Sequence, residues 1–144
     1  MASIFTRIIA GEIPGRLVWA DDTCVVMVDI RPLHEGHCLV IPRAEVDHWI
    51  DLAPEEGSHL MEVAGHVGRA QHEAFACGRI GMMIAGFEVP HTHVHVVPID
   101  DMGDLDFRNA DPSVDAAELD RVANRLRQQL SDHGHGEAVS RASA

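Results

Sequence analysis

The hydrophobic pattern of the chain changes period several times, and each change marks an element. Short aliphatic and β-branched runs at 17–20 and 23–30 are separated by Asp21-Asp22, a turn-forming pair, which predicts a hairpin. Pro32 and Gly36 punctuate "RPLHEG", after which "HCLVIP" at 37–42 is a third strand-like run stopped by Pro42. From Pro54 the spacing lengthens. Leu60, Met61, Ala64, Val67, Ala74 and Phe75 recur every three or four residues until Gly78, the pattern of a helix with one apolar face. Gly57, Gly65 and Gly68 inside it each cost up to about 1 kcal/mol relative to Ala, so packing against a sheet must supply its stability, and some of them would permit close helix-to-sheet contact.

Two more strands are predicted over 79–87 and 92–99, joined across Glu88 to Pro90. A last helix runs over 116–130 with Leu119, Val122, Leu126 and Leu130 as its stripe and Asp115 to Glu118 resembling a capping box. Beyond Ser131 the composition is small and polar, which predicts a mobile tail over 132–144 with His133 and His135 in solvent. The expected organisation is a single domain over 1–131, with no repeat and no linker.

Composition narrows the possible functions. The chain has 144 residues, with 11 Lys+Arg against 23 Asp+Glu, and so acidic a surface repels a phosphodiester backbone. Nucleic acid is therefore not an expected partner, although a small phosphate ligand can still enter a locally neutral pocket. Every basic side chain other than histidine is Arg, which removes a P-loop lysine and Schiff-base chemistry. Cys24, Cys38 and Cys77 lie far apart without a CxxC pair and read as small buried apolar residues of a reducing compartment. No apolar run approaches the roughly 20 residues of a membrane helix, and Arg7 and Glu12 interrupt the N-terminal stretch, so the expected location is the cytoplasm.

The stretch "HTHVHVV" carries the candidate chemistry. On a strand, His91, His93 and His95 fall on one face about 6.5–7 Å apart along it, while Thr92, Val94 and Val96 face the core. Imidazoles this close oppose each other's protonation, so at least one stays neutral near pH 7. A neutral imidazole can act as a nucleophile, and a neighbouring ring can donate to an oxyanion, a combination suited to attack on phosphorus. Two other readings stay open on spacing alone: a metal site, for which His37 could supply a further ligand, and a structurally satisfied set.

These residues, with the "GEIP" turn, Asp29-Ile30-x-Pro32 and "GHCLVIP", resemble the histidine triad (HIT) family, whose signature is His-φ-His-φ-His-φ-φ with φ apolar. The resemblance covers roughly residues 3–100, with Thr92 its one soft departure. It implies an α+β fold, an antiparallel five-stranded sheet with two main helices, extended by homodimerisation. It also implies a hydrolase or transferase attacking the α-phosphorus of a purine nucleotide through a covalent nucleotidyl-histidine, with no cofactor and no obligatory metal. Carried over, His93 is the nucleophile, His95 contacts phosphate oxygens, and His91 and His37 orient the rings and the phosphate. Asp29 would hold ribose hydroxyls, and Ile30, Phe5 and Ile8 would wall the base; read from the residues alone, these three are ordinary core.

The sequence departs from the family pattern at two places. Phe87 stands where the family has Gln and Glu88 where it commonly has a hydroxyl residue, which leaves the leaving group open, and with it the alternative of a low-turnover nucleotide-binding or interaction module. Some bacterial members carry Cys-x-x-Cys in the first turn as part of a zinc site; here the stretch is Ser3-Ile4-Phe5-Thr6, so zinc is not expected there. His48 and Trp49 read as a solvated loop, with a dimer edge or substrate rim as the alternative, and His34, His59, His66 and His72 show no functional spacing.

Overall fold

The structure is a computed structural model, and it describes residues 1–143. A short helix α1 (Ile4–Ile9) precedes β1 (Leu17–Ala20), β2 (Cys24–Val28) and β3 (Cys38–Pro42). Helix α2 (Pro54–Ala74) follows, then β4 (Arg79–Met83), β5 (Val94–Ile99) and α3 (Ala116–Leu130). The five strands form one antiparallel sheet in the order β1-β2-β3-β5-β4, with β2 and β3 in unbroken register from Cys24 opposite Pro42 to Val28 opposite Cys38.

Alternation along the strands divides the core in two. Cys24, Val26, Val28, Cys38, Val40, Val94 and Val96 face α2 and α3, where they meet Leu60, Val63, Val67, Leu126 and Leu130. Val25, Met27, Leu39 and Ile41 face the other way and are covered only by Phe5 and Ile8 of α1 and a few neighbours. His95 pairs across the sheet with Leu39 and Met83, so the period of two puts it on this thinly covered face.

Several expected boundaries shift for local reasons. Strand β4 stops at Met83 rather than 87, because the chain then turns at Gly86, whose φ is +91°. Strand β5 begins only at Val94, leaving His91, Thr92 and His93 in an irregular lead-in. Thr92 holds that lead-in to the loop after β3, its backbone N–H and its hydroxyl both donating to the Val46 carbonyl at 2.7 and 2.8 Å. Helix α2 ends at Ala74 rather than near Gly78, since Phe75 turns extended and packs on Gly36. Of the three glycines inside α2, Gly68 alone meets the sheet, at Ile80; nothing lies near Gly57, and only the Arg69 side chain lies near Gly65.

The segment expected to be a mobile tail is instead folded. After a wide turn at Ser131–His135, in which Gly134 takes φ +92°, helix α4 (Gly136–Ala142) lies against β1. Ala138 and Val139 pack on the larger core, Ala142 on the smaller one, and Arg141 pairs with Asp22 at 2.7 Å. His135 leaves solvent too, its ring centroid 4.2 Å from His66 and 5.2 Å from Trp19. Three small apolar residues on one helical face are enough to dock a two-turn helix, which a reading of average composition misses.

Gly36 combines two constraints: its φ is +94°, and a Cβ there would stand 2.6 Å from the Phe75 ring. Gly36→Ala is expected to lower unfolding stability by roughly 2–4 kcal/mol through backbone strain and overpacking, measured by urea denaturation.

Candidate active site

The site is assembled from the lead-in to β5, the start of β3, the turn after β2 and the first turn of α1. His91 is fully buried, and its Nε2 lies 2.7 Å from the Pro42 carbonyl oxygen. A carbonyl only accepts, so Nε2 carries the hydrogen and Nδ1 is left to accept from the Ser3 hydroxyl at 2.7 Å. Ser3 is also the N-cap of α1, taking the Thr6 N–H at 3.0 Å. One oxygen of Glu45 accepts both the Ser3 backbone N–H at 2.6 Å and the Thr6 hydroxyl at 2.7 Å. The result is a clasp that joins α1, the loop after β3 and His91. Burial, the largest influence, pulls the His91 pKa below its ordinary value and keeps the ring neutral.

The same logic assigns the next ring. Nδ1 of His93 lies 2.8 Å from the His91 carbonyl oxygen and must donate to it, which leaves the lone pair of the neutral ring on Nε2. Phe5 packs an edge against this ring at a centroid distance of 5.0 Å. The Glu88 carboxylate stands 3.7 Å from Nε2.

His37 and His95 form a second chain. The Leu33 N–H donates to Nδ1 of His37 at 3.0 Å, so the hydrogen of His37 sits on Nε2 and is donated to Nδ1 of His95 at 2.9 Å. His95 therefore carries its own hydrogen on Nε2. That atom is buried and has no hydrogen-bond partner in the protein. Burial pushes the pKa of His37 and of His95 down to about 4, helped at His95 by the neighbouring histidines. A buried donor without an acceptor costs on the order of 1–3 kcal/mol, and it is a place where a ligand oxygen is wanted.

The remaining predicted residues fall around these rings. Asp29 sits 3.5 Å from Nε2 of His37 and accepts the Arg31 N–H at 2.8 Å, and burial pushes its carboxyl up. Phe5 is buried against His91 and His93, Ile8 is half-buried beside it, and Ile30 is 60% exposed and so stands outside the core. Phe107, in the irregular segment after β5, is an addition: its ring centroid lies 4.9 Å from that of His95. Ser3, Thr6 and Glu45 were likewise not marked as parts of the site. Their only signal in the sequence is the helix cap at Ser3, because the contacts that tie Ser3 to Glu45 and His91 span 42 and 88 residues.

Metal ligation has two geometric openings among the described residues. Asp29, His37 and His95 bring ligand atoms within 4.8 Å of one another, as do Asp21, Cys24 and His59. In the first group the facing nitrogens of His37 and His95 already share a hydrogen. In the second, burial pushes the Cys24 thiol far up, so no thiolate is offered, and Asp21 already accepts from Trp19, His59 and two backbone N–H groups.

Fold and site together define an α+β domain in which four buried histidines are each oriented by a hydrogen bond of fixed direction. The HIT domain profile matches residues 10–102, and the chain belongs to the HIT family. It is 31% identical over 108 residues to protein hit of Bacillus subtilis, covering 70% of this chain and 73% of that protein. With the bifunctional bis(5'-adenosyl)-triphosphatase/adenylylsulfatase FHIT of Arabidopsis thaliana it shares 33% identity over 122 residues, 81% of this chain and 65% of that protein. A zinc-bound histidine triad family protein from Mycobacterium smegmatis superposes with a TM-score of 0.79 at 26% identity, covering 93% and 96% of the two chains.

The depressed histidines set a pH dependence. At His37 and His95 the folded value of about 4 lies below the ordinary 6.5, so the unfolded chain binds protons first as pH falls. Stability is therefore expected to be undiminished by these rings above about pH 6.5. Between there and pH 4 it should decline by up to about 1.4 kcal/mol per pH unit for each, an effect that His95→Gln would reduce in chemical denaturation at stepped pH.

Proposed function

We propose that this protein is a nucleotide hydrolase or transferase that attacks the α-phosphorus of a purine nucleotide through a covalent nucleotidyl group on His93. The observation that carries the reading is the pairing of a free Nε2 lone pair on His93 with an unpartnered, buried Nε2–H on His95. One atom forms a bond to phosphorus while the other donates to a non-bridging oxygen as charge builds there. The bond from phosphorus to the leaving group breaks with its electron pair on the leaving group. As the His93 ring becomes cationic, its Nδ1–H bond to the His91 carbonyl strengthens and stabilises the intermediate. Water then attacks phosphorus from the vacated side, the P–N bond breaks, the electron pair returns to Nε2, and a nucleoside monophosphate leaves.

Asp29 is suited to accept ribose hydroxyls at the mouth of the site, and Phe5, Ile8 and Ile30 offer apolar surface to a base. A nucleoside phosphoramidate is the first choice of substrate and a dinucleoside polyphosphate the second. The relatives support the broad class, since the Arabidopsis protein named above is a triphosphatase and adenylylsulfatase by name.

Strand β4 is a sheet edge whose Met82 is exposed, flanked by an apolar groove against α2 that Met61, Gly68 and Ile80 line. The same reading makes this edge the seam of a homodimer with a continuous sheet. A second function, nucleotide binding with little turnover, is favoured by one observation: Phe87, 96% exposed, offers no hydrogen-bond donor where the family places Gln.

Incubation with adenosine phosphoramidate separates the two. Turnover predicts release of adenosine monophosphate and an adenylyl adduct on the peptide containing His93, with His93→Ala slower by on the order of 10³-fold or more. Full turnover by His93→Ala would remove the nucleophile assignment, and tight binding with no monophosphate would favour the binding module.

A further inference from the structure

Glu88 is the one acidic side chain within 4 Å of a His93 ring nitrogen, and among the described residues it has no arginine and no hydrogen-bond donor to occupy it. It follows the Gly86 turn at the mouth of the site and is half-exposed, with the fully exposed phenyl ring of Phe87 preceding it. Neither side chain can donate to an anion in its charged or apolar form, so the rim beyond His93 offers negative charge and no compensating donor.

Resting on the reading of His93 as nucleophile, we infer that Glu88 selects leaving groups that depart as amines: its carboxyl group delivers the proton that the departing nitrogen needs, and its charge turns away leaving groups that depart as anions. An amine leaves from the state in which the facing atoms of His93 and Glu88, 3.7 Å apart, share one proton. With that proton on Glu88, the Nε2 lone pair is free to form the bond to phosphorus. The P–N bond of a phosphoramidate then breaks with both electrons on nitrogen, and the nitrogen takes the Glu88 proton to leave as a neutral amine. In the second half, the Glu88 carboxylate takes a proton from water as the water oxygen attacks phosphorus, and the P–Nε2 bond breaks with its pair returning to the ring. The cycle consumes one water, releases one amine and one nucleoside monophosphate, and restores the proton to Glu88.

An anionic leaving group meets the opposite conditions. It needs no proton to depart and reacts from the state in which the His93 and Glu88 pair holds none, where its charge develops near the Glu88 carboxylate with no cation beside it. At separations near 4 Å in a partly solvated site, like charges disfavour such a step by about 5-fold to 10³-fold. The same carboxylate that assists one substrate class therefore slows the other.

The test compares kcat/KM for adenosine phosphoramidate, whose leaving group is an amine, with that for adenylyl sulfate, whose leaving group is an anion, in the full-length protein and its Glu88→Gln and Glu88→Ser variants. Expected is a wild-type preference for the phosphoramidate that narrows at least about 30-fold in both variants, with the phosphoramidate rate falling and the sulfate rate rising. Release of monophosphate from both substrates with a ratio unmoved by either variant overturns the role of Glu88 and leaves the hydrolase reading intact. Release from neither substrate by the wild-type protein overturns both.

Discussion

The site depends on the direction of a few hydrogen bonds between imidazoles and backbone groups. An imidazole that is neutral must choose which nitrogen carries the hydrogen, and in isolation both choices are available. Here the Pro42 carbonyl, the His91 carbonyl and the Leu33 N–H remove the choice at His91, His93 and His37, and the bond from His37 passes the constraint on to His95. Two of the four rings consequently differ at Nε2, which bears a lone pair at His93 and a hydrogen at His95. Burial is what makes the arrangement hold, because it disfavours the charged form that would turn every ring nitrogen into a donor.

The fold serves this arrangement in a specific way. The thick side of the sheet, under α2 and α3, carries the large core, in which the buried Gln71 amide donates to the Gly36 and Val96 carbonyls. The thin side, under α1, is where the period-two alternation of β5 turns His95, and where the clasp of Ser3, Thr6 and Glu45 secures His91. At that stretch the Ser3 hydroxyl donates to His91 and the Thr6 hydroxyl to the Glu45 carboxylate. A molecule with a formal net charge of −12 thereby buries four imidazoles together, with Asp29 beside His37, Glu88 beside His93 and Glu45 on the clasp at His91.

Much of this was legible before the structure, for reasons that can be named. The five strands and two long helices were visible because their apolar periods are local and regular, and the triad because its spacing matches the pleat of a strand. The lead-in before Val94 was read as strand because His-x-His-x-His alternates, although Thr92 fastens it to a loop rather than to a ladder. Helix α4 was hidden by glycines and serines, since three small apolar residues weigh little in composition yet suffice to dock on β1. Phe107 reaches His95 across the irregular segment after β5, and Glu45 reaches Ser3 across 42 residues, contacts that no local pattern encodes. Ile30 shows the reverse error of pattern: a residue that composition assigns to the core stands outside it.

The most direct measurement is the tautomeric state of each ring, read from long-range nitrogen-15 to proton correlations of the histidine side chains near pH 7 in the ligand-free protein. The account predicts hydrogen on Nδ1 for His93 and on Nε2 for His91, His37 and His95. Hydrogen on Nε2 of His93, or a His95 ring without hydrogen on Nε2, would contradict it.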